Sequence, residues 1–210
     1  EGFDLHSLKL PGVQEELIDA LCETGTPVVV VLVTGKPFEM IRIKDKAAAL
    51  VVQWYAGEEQ GSAIAELLFG KENFSGRLPV SFPRSTGHLP CYYNYYPSDK
   101  GYYNRKGSLD KPGRDYVFSD PYALYTFGYG LSYSKFEYTD MTVEIADGKD
   151  ASGAGSLSMD DTIIVKVGLK NTSDVAGKET VQIYANDKAS SYITPAKSLV
   201  GYKKVEVKPG

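Results

Sequence analysis

At 210 residues the chain can hold one large or two small domains, and its 42% hydrophobic and 24% charged content is that of a globular protein. A net charge of −4 leaves no basic stripe to neutralise phosphates, which argues against a nucleic-acid partner. The longest apolar run, Val28 to Val33, is strand-sized and falls far short of the ~20 residues that span a bilayer, so no membrane span is expected.

In chain order, Gly12 to Thr24 sets Val13, Leu17, Ile18 and Leu21 on one helical face, with Pro11 at the helix start and Gly25 at its end. Pro27 to Thr34 is a continuous Val/Leu run, the pattern of a strand covered on both faces, and Ala47 to Trp54 gives a second. Gly57 and Gly61 permit a turn, and Glu58 and Glu59 then fall at a helix start, where the dipole favours negative charge. Ile64, Leu67 and Leu68 carry that helix over 62–69 until Gly70 stops it. Leu78 to Phe82 reads as a last short strand. Helix, strand, strand, helix, strand is α/β, with helices on both sides of a sheet.

The middle of the chain is rich in tyrosine: there are 16 in all against one tryptophan. Prolines at 83, 90, 97, 112 and 121 exclude a long helix, so residues 84–131 read as an ordered aromatic connection of the kind kept for function. Beyond it the period becomes that of strands. Phe136, Tyr138, Met141, Val143 and Ile145 alternate, as do Ile163, Val165, Val167 and Leu169; Val181 to Tyr184 and Leu199 to Val207 follow. Gly148 to Ser158 is small and polar and reads as a flexible loop. This is an antiparallel sandwich of immunoglobulin or fibronectin III type, with four or so strands visible where about seven are expected. The expected division is therefore 1–83 α/β sandwich, 84–131 connection and 132–210 an incomplete fibronectin III-like sandwich. An opening in a loop before a helix, and a close on Pro209-Gly210, lead to the expectation of a fragment of something larger. The chain opens on Glu1, not on a basic segment followed by an apolar one, so targeting says nothing of location.

Candidate chemistry is sparse. Cys22 is read as a small buried hydrophobe, and Cys91, between a proline and two tyrosines, is not read as an activated thiolate. With only His6 and His88 available, and no close ligand spacing, neither a metal site nor a cofactor is expected. Glu58 and Glu59 tempt as a carboxylate pair but suit dipole and capping roles at a helix start. Tyr92, Tyr93, Tyr95 and Tyr96 could stack on sugar rings, or could cement the two domains together. His88 reads as a loop residue. Asn73-Phe74-Ser75 and Asn171-Thr172-Ser173 match the glycosylation sequon, and neither is expected to be used.

Three blocks carry a resemblance. The first is Glu1-Gly2-Phe3-Asp4-Leu5 followed by Leu8-Lys9-Leu10-Pro11 and Gln14. The second is Gly57-Glu58-Glu59-Gln60-Gly61-Ser62-Ala63 and its continuation through Arg77-Leu78-Pro79-Val80-Ser81-Phe82-Pro83. The third is Leu124-Tyr125-Thr126-Phe127-Gly128-Tyr129-Gly130-Leu131-Ser132-Tyr133. In order and spacing these resemble glycoside hydrolase family 3, most closely its bacterial β-glucosidases and β-xylosidases, over nearly the whole chain.

The resemblance implies a three-domain enzyme: a TIM barrel, an α/β sandwich and a fibronectin III-like domain. It implies retaining cleavage of β-glycosidic bonds in an oligosaccharide or β-glycoside, with one carboxylate as nucleophile and one as general acid/base. The nucleophile would be an Asp on the barrel, which this chain does not contain. The acid/base, a Glu of the sandwich domain, falls on Glu1, ten residues before Pro11. Asp4 would support it, as an orienting group or a staple of the loop. Leu5 stands where the family usually has Arg. For an isolated chain, Glu1 also reads as a solvated terminal residue. A periplasmic or extracellular location is likewise implied. The rival reading is a non-catalytic carbohydrate-binding or protein-docking module, and the sequence upstream of Glu1 separates the two: a barrel-sized extension of ~250 residues bearing an Asp nucleophile favours the hydrolase.

Overall fold

The computed structural model describes residues 4–97, 108–111, 119–146, 158 and 160–210. The loop expected from Gly148 to Ser158 lies outside the described residues, all but Ser158. Two compact units are present: Glu1–Glu72, Gly76–Gly130 and Gln182–Tyr202 form the first, and Asn73–Ser75, Leu131–Val181 and Lys203–Gly210 the second.

The first unit is α/β. Helix α1 spans Gln14–Glu23, strand β1 Val29–Leu32, strand β2 Ala49–Val52 and helix α2 Gln60–Leu68. The first helix begins three residues past Pro11 because Gly12 takes φ 65°, which breaks the helical path until Val13 caps it. Glu15 and Glu16 then sit in the first turn, where the dipole favours them. β1 and β2 run parallel, in a register of Val29 with Ala49 through Leu32 with Val52. A core of Leu10, Ile18, Val30, Leu32, Phe38, Met40, Ile43 and Phe82 lies beneath, with Cys22, Leu50, Trp54, Leu78 and Tyr125 packed around it.

An ion network fastens α1 to the turn after Met40. Arg42 donates to Glu15 at 3.0 Å and to Asp19, and Lys46 donates to Asp19 at 2.6 Å. The bonds from Lys46 first and then Arg42 hold the Asp19 carboxyl below its ordinary value, and the bonds to Asp19 first and then Glu15 raise the Arg42 guanidinium.

Three expectations change here. The Val/Leu run buries one face, not two: Val30 and Leu32 point into the core, whereas Val29 and Val33 are 47% and 51% exposed. α1 likewise buries Ile18 and leaves Val13, Leu17 and Leu21 open. Leu78 to Phe82 is not a strand but two separated points of pairing. Leu78 exchanges bonds with Tyr129 and Gly128, and Phe82 bridges Tyr125. Between them Pro79 has no N–H to give, and the Ser81 hydroxyl accepts the Phe127 N–H at 3.1 Å in place of a backbone group.

At α2 the glycines divide their roles. Gly57 turns the chain, but Gly61 lies within the helix, and Gly70, at φ 72°, ends it.

The later strands are all β. β3 (Phe136–Ile145) and β4 (Ile163–Asn171) pair antiparallel; β5 (Gly177–Ala185) and β6 (Ser198–Val207) form a second pair. Val165, Val167, Leu169 and Asn171 turn to the covered side of β4. On β3 the expected alternation is interrupted by a register shift between Tyr138 and Met141, and both of those side chains are exposed. The second unit is knitted by two asparagines. The Asn73 amide donates to Ser134 Oγ and the Ala176 carbonyl and accepts from Ser132 Oγ and the Tyr133 N–H. Asn171, fully buried, donates to the Val175 and Val207 carbonyls and accepts from Ser173.

Candidate active site

The acid/base candidate Glu1 lies outside the described residues. Its neighbour Asp4 is exposed, as is His6. The described part of the loop that follows Glu1 becomes fixed at Leu8, through a closed ring of hydrogen bonds. The Leu8 carbonyl accepts the Glu39 N–H at 2.7 Å, and the Leu8 N–H donates to Thr86 Oγ1 at 2.9 Å. The Thr86 hydroxyl in turn donates to Glu39 Oε1 at 2.8 Å, and the Thr86 N–H donates to the same oxygen. Both backbone groups of Leu8 are thus satisfied by side chain and backbone from two other segments.

Each arm of the ring is anchored in the core. Glu39, 9% exposed, stands between the buried Phe38 and Met40, and the loop itself runs on into the buried Leu10. Thr86 opens a short 3-10 helix, Thr86–His88. Its buried His88 accepts the Arg84 N–H at Nδ1 and, at Nε2, lies 2.9 Å from the Pro121 carbonyl. That pairing makes Nε2 the protonated nitrogen. His88 therefore belongs to a pinned turn, a stronger role than that of a loop residue.

Sequence reasoning passed over Glu39 and Thr86. Neither stands in a recognisable motif, and 47 residues separate them. A glutamate within the apolar stretch Pro37-Phe38-Glu39-Met40 was the available signal, since a carboxylate flanked by core residues must find donors.

The other candidates fall apart from this ring. Glu58 and Glu59 are exposed; Glu59 occupies the N-cap of α2 without a side-chain capping bond. The tyrosines split. Tyr93 stacks on Phe127 with centroids 4.1 Å apart and meets Tyr184 edge-on, whereas Tyr92, Tyr95 and Tyr96 are exposed. Lys197 lies over the Tyr184 ring, and burial raises the Tyr184 hydroxyl. Burial also pushes the Cys91 thiol up, which keeps it protonated. Among the described residues no group of three His, Cys, Asp or Glu is placed to hold a metal. Both sequon asparagines spend their amides on internal hydrogen bonds.

Comparison with known proteins supplies the family. Residues 1–133 match the Glycosyl hydrolase family 3 C-terminal domain, and residues 179–210 match the Fibronectin type III-like domain. The thermostable beta-glucosidase B of Acetivibrio thermocellus is 40% identical over all of this chain and 26% of its own length. The periplasmic beta-glucosidase of Salmonella typhimurium is 36% identical, again over all of this chain and 26% of its own. The crystal structure of a beta-glucosidase from Listeria innocua in complex with glucose superposes with a TM-score of 0.84 at 33% identity, covering 98% of this chain and 27% of that one. The chain thus spans about a quarter of the length of these relatives. With the family domain matched over more than half its residues, and such identity throughout, the chain belongs to glycosyl hydrolase family 3.

Proposed function

We propose that this chain is the C-terminal part of a retaining, exo-acting β-glycosidase, of β-glucosidase or β-xylosidase type, and that Glu1 is its general acid/base. The observation that carries the reading is identity of 36–40% along the entire chain to proteins named beta-glucosidase. On this reading residues 1–83 belong to the α/β sandwich domain, 84–131 connect, and 132–210 form the fibronectin III-like domain. The nucleophilic Asp stands on a TIM-barrel domain outside these residues, which accords with relatives about four times as long. The substrate is a β-glycoside or oligosaccharide. A periplasmic or extracellular setting is supported by the Salmonella relative's name. Among the described residues no helix is long and apolar enough to cross a membrane.

The chemistry follows from a pair of carboxyl groups about 5–5.5 Å apart. Glu1, protonated, gives its proton to the leaving oxygen as the barrel Asp attacks the anomeric carbon; as a carboxylate it then takes a proton from the water that releases the sugar. The carboxyl must hold its proton at the working pH, which requires a site that partly buries it. Asp4, three residues on, supports the loop.

The test compares this chain alone with the full-length protein on a panel of nitrophenyl glycosides. The chain alone hydrolyses none, while the full-length protein releases the β-anomer first, as retention demands. Turnover by the chain alone, or release of the α-anomer, overturns the reading. An inert full-length protein that still binds oligosaccharide favours the docking module.

A further inference from the structure

We propose that Thr86 and Glu39 are positioning residues for the acid/base: the ring they close around Leu8 sets where the loop bearing Glu1 leaves the core. The inference rests on Glu1 being the acid. Three observations lead to it.

The ring joins segments remote in sequence at a single residue of that loop. Leu8 has its N–H taken by Thr86 and its carbonyl by Glu39, so the peptide planes on both sides of Leu8 are held in orientation. The ring is also closed with a carboxylate. One Glu39 oxygen accepts both the N–H and the hydroxyl of Thr86. Bonds to an ionised acceptor are shorter and about twice as strong as neutral ones. That holds the Thr86 hydroxyl proton toward Glu39 and leaves the oxygen's lone pair aimed at Leu8. Finally, nothing about burial alone requires this arrangement. Leu10, two residues on, already anchors the segment in the core, and Leu8 is only half-buried. The ring adds orientation where anchorage is already present.

An acid must lie within hydrogen-bond reach of the leaving oxygen, and small misplacements of catalytic groups cost about 100-fold in rate. A displaced acid penalises substrates whose leaving group needs a proton and spares those whose leaving group departs as a stable anion. Loosening the ring therefore has a signature that general destabilisation lacks.

The experiment is carried out in the full-length protein, on methyl and 2,4-dinitrophenyl glycosides of the sugar it turns over. Thr86→Val removes the hydroxyl at nearly constant shape. It is expected to lower kcat/KM on the methyl glycoside by about 10- to 100-fold and on the dinitrophenyl glycoside by no more than about threefold. Thr86→Ser, which keeps the hydroxyl, restores the methyl glycoside rate. Glu39→Gln, which replaces charged with neutral hydrogen bonding, gives the same asymmetry at smaller size. Glu1→Ala runs alongside as the reference. If Glu1→Ala is selective for the methyl glycoside but Thr86→Val and Glu39→Gln lower both rates equally, or neither, the positioning role alone is wrong. If Glu1→Ala shows no selectivity, the acid assignment falls and the positioning role falls with it.

Discussion

Asp19 shows at the residue scale how one carboxylate holds a helix in place. It receives Lys46 and Arg42 together, and its pKa is depressed, chiefly by the hydrogen bond from Lys46. A depressed carboxyl binds its proton less readily folded than unfolded. Its contribution is therefore complete above the ordinary value of 3.8 and drains away as pH falls below that value. We expect Asp19→Asn to lower the melting temperature at neutral pH and the gap to wild type to close in acid; a gap independent of pH would contradict this. None of these partners was legible in the sequence, because Asp19 and its two cations lie 23 and 27 residues apart. The same is true of Asn73, whose partners lie 59 to 103 residues away. Its sequence context advertised a sequon, while its structural role is to satisfy four groups around Ser132 to Ser134 and Ala176. Short-range pattern registers residue type, whereas these roles are set by long-range partners.

Elements were more legible than residues, and their errors are instructive. Helical period located α1 and α2, and two-residue alternation located the later strands, because apolar spacing is a local property. It placed Leu17 and Ile18 on one face, yet the fold buries Ile18 and leaves Leu17 58% exposed. In this chain Ile18→Ala should cost about 2–5 kcal/mol in chemical denaturation, and Leu17→Ala well under half of that; equal losses would show the helix face to be misassigned. Pro79 carried the warning that Leu78 to Phe82 would not pair as a ladder, and the run of apolar residues around it concealed that warning. On β4, Gly168 faces the register shift of β3 so closely that a Cβ would lie 2.0 Å from Thr139 Oγ1. Gly168→Ala should therefore destabilise by about 1–3 kcal/mol through overpacking, seen as a lower denaturation midpoint. An unchanged midpoint would mean the bulge relaxes freely.

At the scale of the molecule, the family match runs from residue 1 to residue 133 and takes in both the Gly57 to Pro83 stretch and the proposed acid. The two adjacent glutamates of that stretch are exposed at the start of α2. The carboxylate we propose as the acid, Glu1, instead precedes in sequence the ring that Leu8, Glu39 and Thr86 close. α1 and β1 each keep an open apolar face in this chain, a surface consistent with burial in a larger protein. Half of a retaining site is what these residues would supply, so the account is tested most directly by removing that half. In the full-length protein, Glu1→Ala should cut turnover of alkyl glycosides by at least about 100-fold while leaving 2,4-dinitrophenyl glycosides largely cleaved. Equal loss on both classes, or full activity on both, would contradict the assignment of Glu1 as the acid.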